Sequence, residues 1–252
     1  MIHLFALLSL LLCGVCYTGF QNSSHFHNTS NRRSLLLLVF GGALLLRLLL
    51  AYTTHGFSND IACFAAWADR IFTLGPGQFY SAEMFTDYPP GFMYVLYLIG
   101  ALRSLLQIPY YSDLHILLLK SPAILCDIAC GFLLYREAVK RLHFSDLQGI
   151  FAASAYLFQP AVILNSSCWG QVDSVYTLMI ILMCLFLMKG NLLPAYAVYG
   201  LGVLLKPQML IFTPVLLAGI WDHVFLQDFS WRKFFYNLCG GLVAVSYTHL
   251  TL

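Results

Sequence analysis

Arg47, Lys120 and Lys206, together with Asp60, Asp87 and Asp173, are ionisable residues set in or beside long apolar stretches of this 252-residue chain. A charge near the centre of a bilayer costs about 2.5–3.5 kcal/mol on insertion scales, so such residues are functional candidates by default. Carboxylates accept protons from hydroxyl groups or orient them, and ammonium and guanidinium groups stabilise developing negative charge. Each residue also has a plainer reading. Arg47 can snorkel toward water, and Lys120 can pair with Asp127, which follows it at i+7 on the same helix. Asp173 and Asp60 can act as helix-start residues, because a carboxylate is favoured near a helix N-terminus. Lys206-Pro207 can be a kink with an interfacial lysine. Asp127 lies deep in its apolar run and reads as structural, His55 as an interfacial histidine, and the aromatic residues of 93–97 as packing.

Composition explains why these charges matter. The residues AVILMFWYC make up 60% of the chain and DEKR only 10%, against roughly 45–50% apolar and 25% charged in soluble domains. The mean hydropathy is +0.78. A water-soluble globule cannot hide that much apolar surface, so the expectation is an all-α, polytopic membrane protein. Disordered, collagen-like and disulfide-scaffold readings are excluded. A net charge of +2 does not suggest a nucleic-acid partner. The 8 cysteines sit mostly inside apolar runs, where a thiol behaves as a small hydrophobe. Cys13-x-x-Cys16 lacks a second pair, and no His/Cys cluster has metal-ligand spacing.

The elements that must position the charges follow from span length, about 17–25 apolar residues. Candidate spans are 1–19, 35–54, 91–108, 114–135, 147–164, 174–188, 192–206, 208–225 and 234–246. Lys and Arg favour the cytoplasmic side. Counting 91–108 as a span puts Arg136, Lys140 and Arg141 outside. Laying it in the outer interface instead brings Arg32-Arg33, Arg136/Lys140/Arg141, Lys189 and Arg232-Lys233 to one side. Residues 55–113 then form a long extracytoplasmic loop with two interfacial helices. The first covers about 59–73, with Ile61, Phe64, Ala65, Ala68, Ile71 and Phe72 at helical spacing, and Gly75-Pro76-Gly77 ends it. The second begins after Pro89-Pro90. Most of the charged candidates thereby collect at the outer face, and Asp127 and Asp173 lie at different depths.

The expected organisation is an N-terminal hydrophobic segment and basic linker at 1–33, a transmembrane module at 34–246, and a tail at 247–252. The first run, 1–19, lacks a basic n-region and reads as a poor signal peptide. The tail resembles translated sequencing-adapter sequence, which predicts a non-native end and an incomplete module. Asn-x-Ser/Thr sites occur at Asn22, Asn28 and Asn165.

Gly56-Phe-Ser-Asn-Asp60, Phe64-Ala-Ala-Trp67, Phe79-Tyr80 and Asp87-Tyr88-Pro89-Pro90 resemble, in order, the first luminal loop of GT-C-class glycosyltransferases. The likeness is greatest to the dolichyl-phosphate-glucose-dependent glucosyltransferases of N-glycan assembly and their bacterial relatives. Gln159-Pro160 through Trp169-Gly-Gln-Val-Asp173 is similar to their second luminal motif, and Leu205-Lys-Pro-Gln-Met209 to their Lys-Gln-Met stretch. The resemblance covers about 35–225. Trp-Gly-Gln-x-Asp stands where the eukaryotic enzymes have His-x-x-Phe-Gln-Tyr-Asn, so their acceptor does not carry over.

The resemblance implies transfer of a hexose, with inversion, from a polyprenyl-phosphate sugar to an acceptor hydroxyl on a lipid-linked or surface glycan. Asp60 is the implied general base. Lys206, with Arg47 or Lys120, would stabilise the departing phosphate, and Asp87, Tyr88, Trp169, Gln171, Asp173 and Gln208 would contact sugar or acceptor. No cofactor or metal is demanded, although converging carboxylates would admit a divalent cation. The expected location is the bacterial plasma membrane or the endoplasmic reticulum membrane, with the site extracytoplasmic. A multi-pass transporter or lipid flippase is the main rival. It predicts charges through the midplane and repeated halves, and no internal repeat is visible. An intramembrane protease and a structural subunit are further alternatives.

Overall fold

The computed structural model describes residues 2–22, 32–81, 85–226, 230–232, 234–236 and 238–241. Lys233, the Asn28 sequon and the 247–252 tail lie outside them. Among the described residues every regular element is helical. In chain order these are α1 (Ile2–Asn22), α2 (Arg32–Thr53), α3 (Ser58–Leu74), α4 (Pro90–Leu105), α5 (Asp113–Lys140), α6 (Asp146–Leu157), α7 (Pro160–Ile163), α8 (Asp173–Met188), α9 (Leu192–Leu205) and α10 (Thr213–Trp221). A π turn, Leu164–Trp169, continues α7. A 3-10 segment, Pro207–Phe212, leads into α10, and a second π turn, Asp222–Leu226, follows it.

Among the described residues three stretches are long and apolar enough to cross a membrane: Arg32–Thr53, Asp113–Lys140 and Pro207–Leu226. A fourth arises if the bent pair Asp146–Leu157 and Pro160–Trp169 is one span. That pair corrects the expected straight span at 147–164, since its two parts meet at 50°. The cause is Pro160, which has no N–H to donate and pushes Gln159 into extended geometry; Gln159 has φ −62° and ψ 119°. The helices at 174–188 and 192–206 appear close to their expected limits. With 16 and 14 residues, they rise only about 24 and 21 Å at roughly 1.5 Å per residue, short of a core about 30 Å thick. The expected helix at 59–73 is α3, and the one after Pro89 is α4.

By contact the chain divides into two compact units: Met1–Ala65 with Gln107–Ser174, and Ala66–Leu106 with Val175–Leu252. In the first unit α2 and α5 run antiparallel. Arg32 Nε donates to the Tyr135 hydroxyl at 2.9 Å, Arg47 Nε to Asp127 at 3.0 Å and Lys120 Nζ to the Thr54 carbonyl at 2.6 Å. α6 packs along both helices, and its own start is fixed by a capping box between Ser145 and Gln148. Ala43, Tyr135, Ile150, Ala153 and Leu157 form the core between them. In the second unit α4 packs on α9, and Met183, Leu187, Leu192, Tyr196, Met209 and Leu216 form the core.

Candidate functional site

In the first unit the loop after α2 meets the π turn after α7. Thr54 follows the last turn of α2, and Gly56 turns the chain at φ 79° toward α3. Phe57 N donates to the Trp169 carbonyl at 2.9 Å, and the Phe57 and Trp169 rings lie 5.5 Å apart. Gly170 turns the second loop at φ 89°. A Cβ on Gly56 would stand 2.7 Å from Ile61 Cγ1 and 2.8 Å from the Trp169 carbonyl, and one on Gly170 would stand 2.7 Å from Ile61 Cδ1. Both loops therefore close on the same buried isoleucine. They need glycine for backbone shape and for space.

This closure brings Gln171 to Asp60. Gln171 Nε2 donates to Asp60 Oδ2 across 111 residues of sequence. Asp60 is half-buried in the first turn of α3, where the helix dipole favours negative charge. Asp173 is half-buried in the first turn of α8, and Asn165 Nδ2 donates to its Oδ2 at 2.9 Å. Trp169 is exposed beside them. Asn165 was legible only as a sequon, yet its side chain orients an acid eight residues on.

Arg47 and Lys120 face inward. Both are wholly buried, with relative exposure of 0%. Arg47 Nε bonds Asp127 Oδ2 at 3.0 Å and Nη1 bonds the Ala43 carbonyl at 3.3 Å, while Nη2 has no partner among the described residues. Asp127 also accepts from Ser166 at 2.6 Å, Ser174 at 2.5 Å and Tyr156 at 3.2 Å. Of the plainer readings open for these two cations, neither the snorkelling of Arg47 nor the pairing of Lys120 with Asp127 is what the structure has: the acid pairs across helices with Arg47. The expected difference in depth between Asp127 and Asp173 is narrowed as well, because Ser174, the next residue after Asp173, reaches Asp127. Lys120 Nζ bonds the carbonyls of Ala51 (3.2 Å), Thr54 (2.6 Å) and Ser167 (2.9 Å) and Thr54 Oγ1 (3.1 Å).

In the second unit Lys206 ends α9, and its ammonium lies 5.9 Å from the Tyr88 ring centroid and 5.6 Å from that of Tyr176. Both distances fall within the cation–π range of about 6 Å. Tyr88 is brought there because α4 begins against the end of α9, where a Cβ on Gly91 would stand 2.6 Å from the Leu204 carbonyl. Tyr88 also packs on Trp67 at 5.8 Å and Phe92 at 5.2 Å, and its carbonyl accepts from the Tyr80 hydroxyl. Burial pushes the Tyr80 hydroxyl up to about 12, so it remains a donor at neutral pH. Asp87 and Gln208 are exposed. Tyr176 escaped sequence reasoning, although it follows Asp173 by three residues, close to one helical turn.

The first unit therefore joins Asp60 to Gln171 and Asp173 to Asn165, and the second joins Tyr88 to Lys206. The first arrangement can hold a carboxylate ready for a hydroxyl proton, and the second can hold a cation on an aromatic frame. Among the described residues no group of three His, Cys, Asp or Glu is disposed to bind a metal ion. No family model, curated protein or solved structure matches the chain.

Proposed function

We propose that this chain is a polytopic membrane glycosyltransferase of the GT-C kind, moving a hexose from a polyprenyl-phosphate donor to an acceptor hydroxyl with inversion. The observation that carries the reading is the bond from Gln171 to Asp60. Two stretches that resemble separate luminal motifs of that class, more than a hundred residues apart, meet side chain to side chain at the carboxylate that the resemblance makes the base. The contact of Tyr88 with Lys206 supports it in the same way, by joining the Asp-Tyr-Pro-Pro stretch to the Lys-Pro-Gln-Met stretch.

The chemistry suits these groups. The acceptor oxygen bonds to the anomeric carbon as the bond from that carbon to the phosphate oxygen breaks, and the hydroxyl proton passes to Asp60. Such general-base assistance is worth typically about 10²–10⁴-fold. The polyprenyl phosphate leaves as an anion, so it needs a cation more than an acid. The resemblance gives that role to Lys206, whose ammonium stands over the rings of Tyr88 and Tyr176. Gln171 holds one oxygen of Asp60, and Asp173 and Asp87 orient sugar or acceptor hydroxyls. Arg47 and Lys120, with internal partners for their charges, support the loops and leave the phosphate to Lys206. The active site is extracytoplasmic, and α3 and α4 lie at the interface near the donor's lipid tail.

The test uses full-length protein in liposomes supplied with radiolabelled polyprenyl-phosphate glucose or mannose and a lipid-linked glycan extract. Label passing from the donor to a second molecule is the expected result. Label crossing the bilayer on an unchanged donor would favour a flippase and overturn the reading.

A further inference from the structure

Lys120 is a buried ammonium whose partners are four oxygens, three of them backbone carbonyls and none a carboxylate. The origin of those carbonyls gives the arrangement its meaning. Ala51 lies in the last turn of α2 and Thr54 just beyond it; Ser167 lies in the last turn of the π segment Leu164–Trp169. The final carbonyls of a helix have no partner within the helix, and the negative end of its dipole favours a cation. One ammonium, with three protons to give, therefore caps the ends of two helical segments at once. These are the segments from which the two loops depart: Asp60 follows Thr54 by six residues, and Gln171 follows Ser167 by four.

We propose that Lys120 is a positioning residue that locks the loop leading into Asp60 to the loop that carries Gln171 and leads into Asp173. This rests on the transferase reading of the same site. Lys120 extends from α5, a third helix, so the two loops are referred to one point outside both. Thr54 Oγ1 adds a direct bridge, reaching the Ser167 carbonyl at 3.3 Å. Without the ammonium, the four acceptors lose their charged donor, and the tie it makes between the two loops is gone. A misplacement of about 1 Å can cost on the order of 10²-fold in rate.

The experiment has two arms. In the first, the protein is labelled with 5-fluorotryptophan and followed by fluorine NMR, the Trp169 line being assigned by its loss in Trp169→Phe. Lys120→Met keeps the apolar stem and removes the charge. It is expected to shift and broaden the Trp169 line while leaving those of Trp221 and Trp231 in place, which separates a local loop effect from loss of fold. In the second arm, Lys120→Ala is expected to lower kcat for transfer from polyprenyl-phosphate glucose on the order of 10²-fold with KM little changed. Added ethylammonium should restore part of the rate, and tetramethylammonium, which has no N–H, should not. An unmoved Trp169 line in Lys120→Met, or equal rescue by both amines, overturns the proposal. Failure of the wild-type protein to transfer sugar would instead remove the transferase reading, and the NMR arm would still decide the role of Lys120.

Discussion

Arg47 and Asp127 form an ion pair 3.0 Å long with both side chains at zero exposure, joining α2 to α5 in the middle of the first unit. Asp127 is more than half of a pair. The hydroxyls of Ser166, Ser174 and Tyr156 all point at its carboxylate, so the acid ties α2, α6, the π turn and the head of α8 to α5. A carboxylate so surrounded has its lone pairs satisfied, which is the condition under which burying a charge is tolerated.

Removing one partner should be far worse than removing both. Asp127→Leu leaves Arg47 as an uncompensated buried cation and should destabilise the protein by about 3–5 kcal/mol, whereas Arg47→Met combined with Asp127→Leu should recover most of that loss. Thermal unfolding in detergent, run as a double-mutant cycle, measures the coupling. If the two single losses simply add in the double variant, the pair is not the unit of stability described here.

Asp60→Asn should abolish sugar transfer while leaving membrane insertion and thermal stability near wild type, because Asn keeps the size of the side chain and loses only the proton acceptor. Gln171→Leu should be milder, since it frees the base without deleting it. Transfer assays on both variants, beside melting curves, separate the roles. A fully active Asp60→Asn protein removes that residue from the mechanism.

Much of the helical framework was legible in the sequence, because an apolar run of fixed length is a local property and Pro89-Pro90 and Gly75-Pro76-Gly77 mark ends locally. The bend at Gln159 was written there too, in Pro160, but hydropathy runs through it without a break. The partner of Asp127 was not legible. Spacing along one helix offers Lys120 at i−7 and says nothing about the register between α2 and α5, which alone brings Arg47 into reach. The candidate site divides in the same way. Asp60 and Lys206 stand out by charge, whereas Asn165, Tyr176 and Ser167 act through orientation and backbone, properties that residue type does not announce.

Lys206→Met should impair use of the polyprenyl-phosphate donor more than use of the acceptor, because it deletes the cation proposed to stabilise the leaving phosphate. Tyr176→Leu keeps the cation and removes one of its two rings, a contact worth roughly 0.5–2 kcal/mol. It should therefore raise the donor requirement in the same direction by a smaller step. Donor and acceptor titrations on the two variants test this. Equal losses for both substrates in Lys206→Met would mean that the lysine only holds the end of α9.

Gly56→Ala tests the geometry on which the Asp60 to Gln171 contact depends. The position has φ 79°, where a non-glycine residue costs about 1–3 kcal/mol, and the added Cβ would stand 2.8 Å from the Trp169 carbonyl that accepts the Phe57 N–H. The carbonyl is backbone and cannot swing aside as a side chain can, so relief requires the two loops to part. The variant should melt earlier and lose transfer together. Gly41→Ala is the control: it lies inside α2 with open space around it, and replacing a helical glycine by alanine should be neutral or stabilising by roughly 0.5–1 kcal/mol. If Gly56→Ala behaves like Gly41→Ala in both melting and transfer, the first loop is not held against the second, and Gln171 cannot be what orients Asp60.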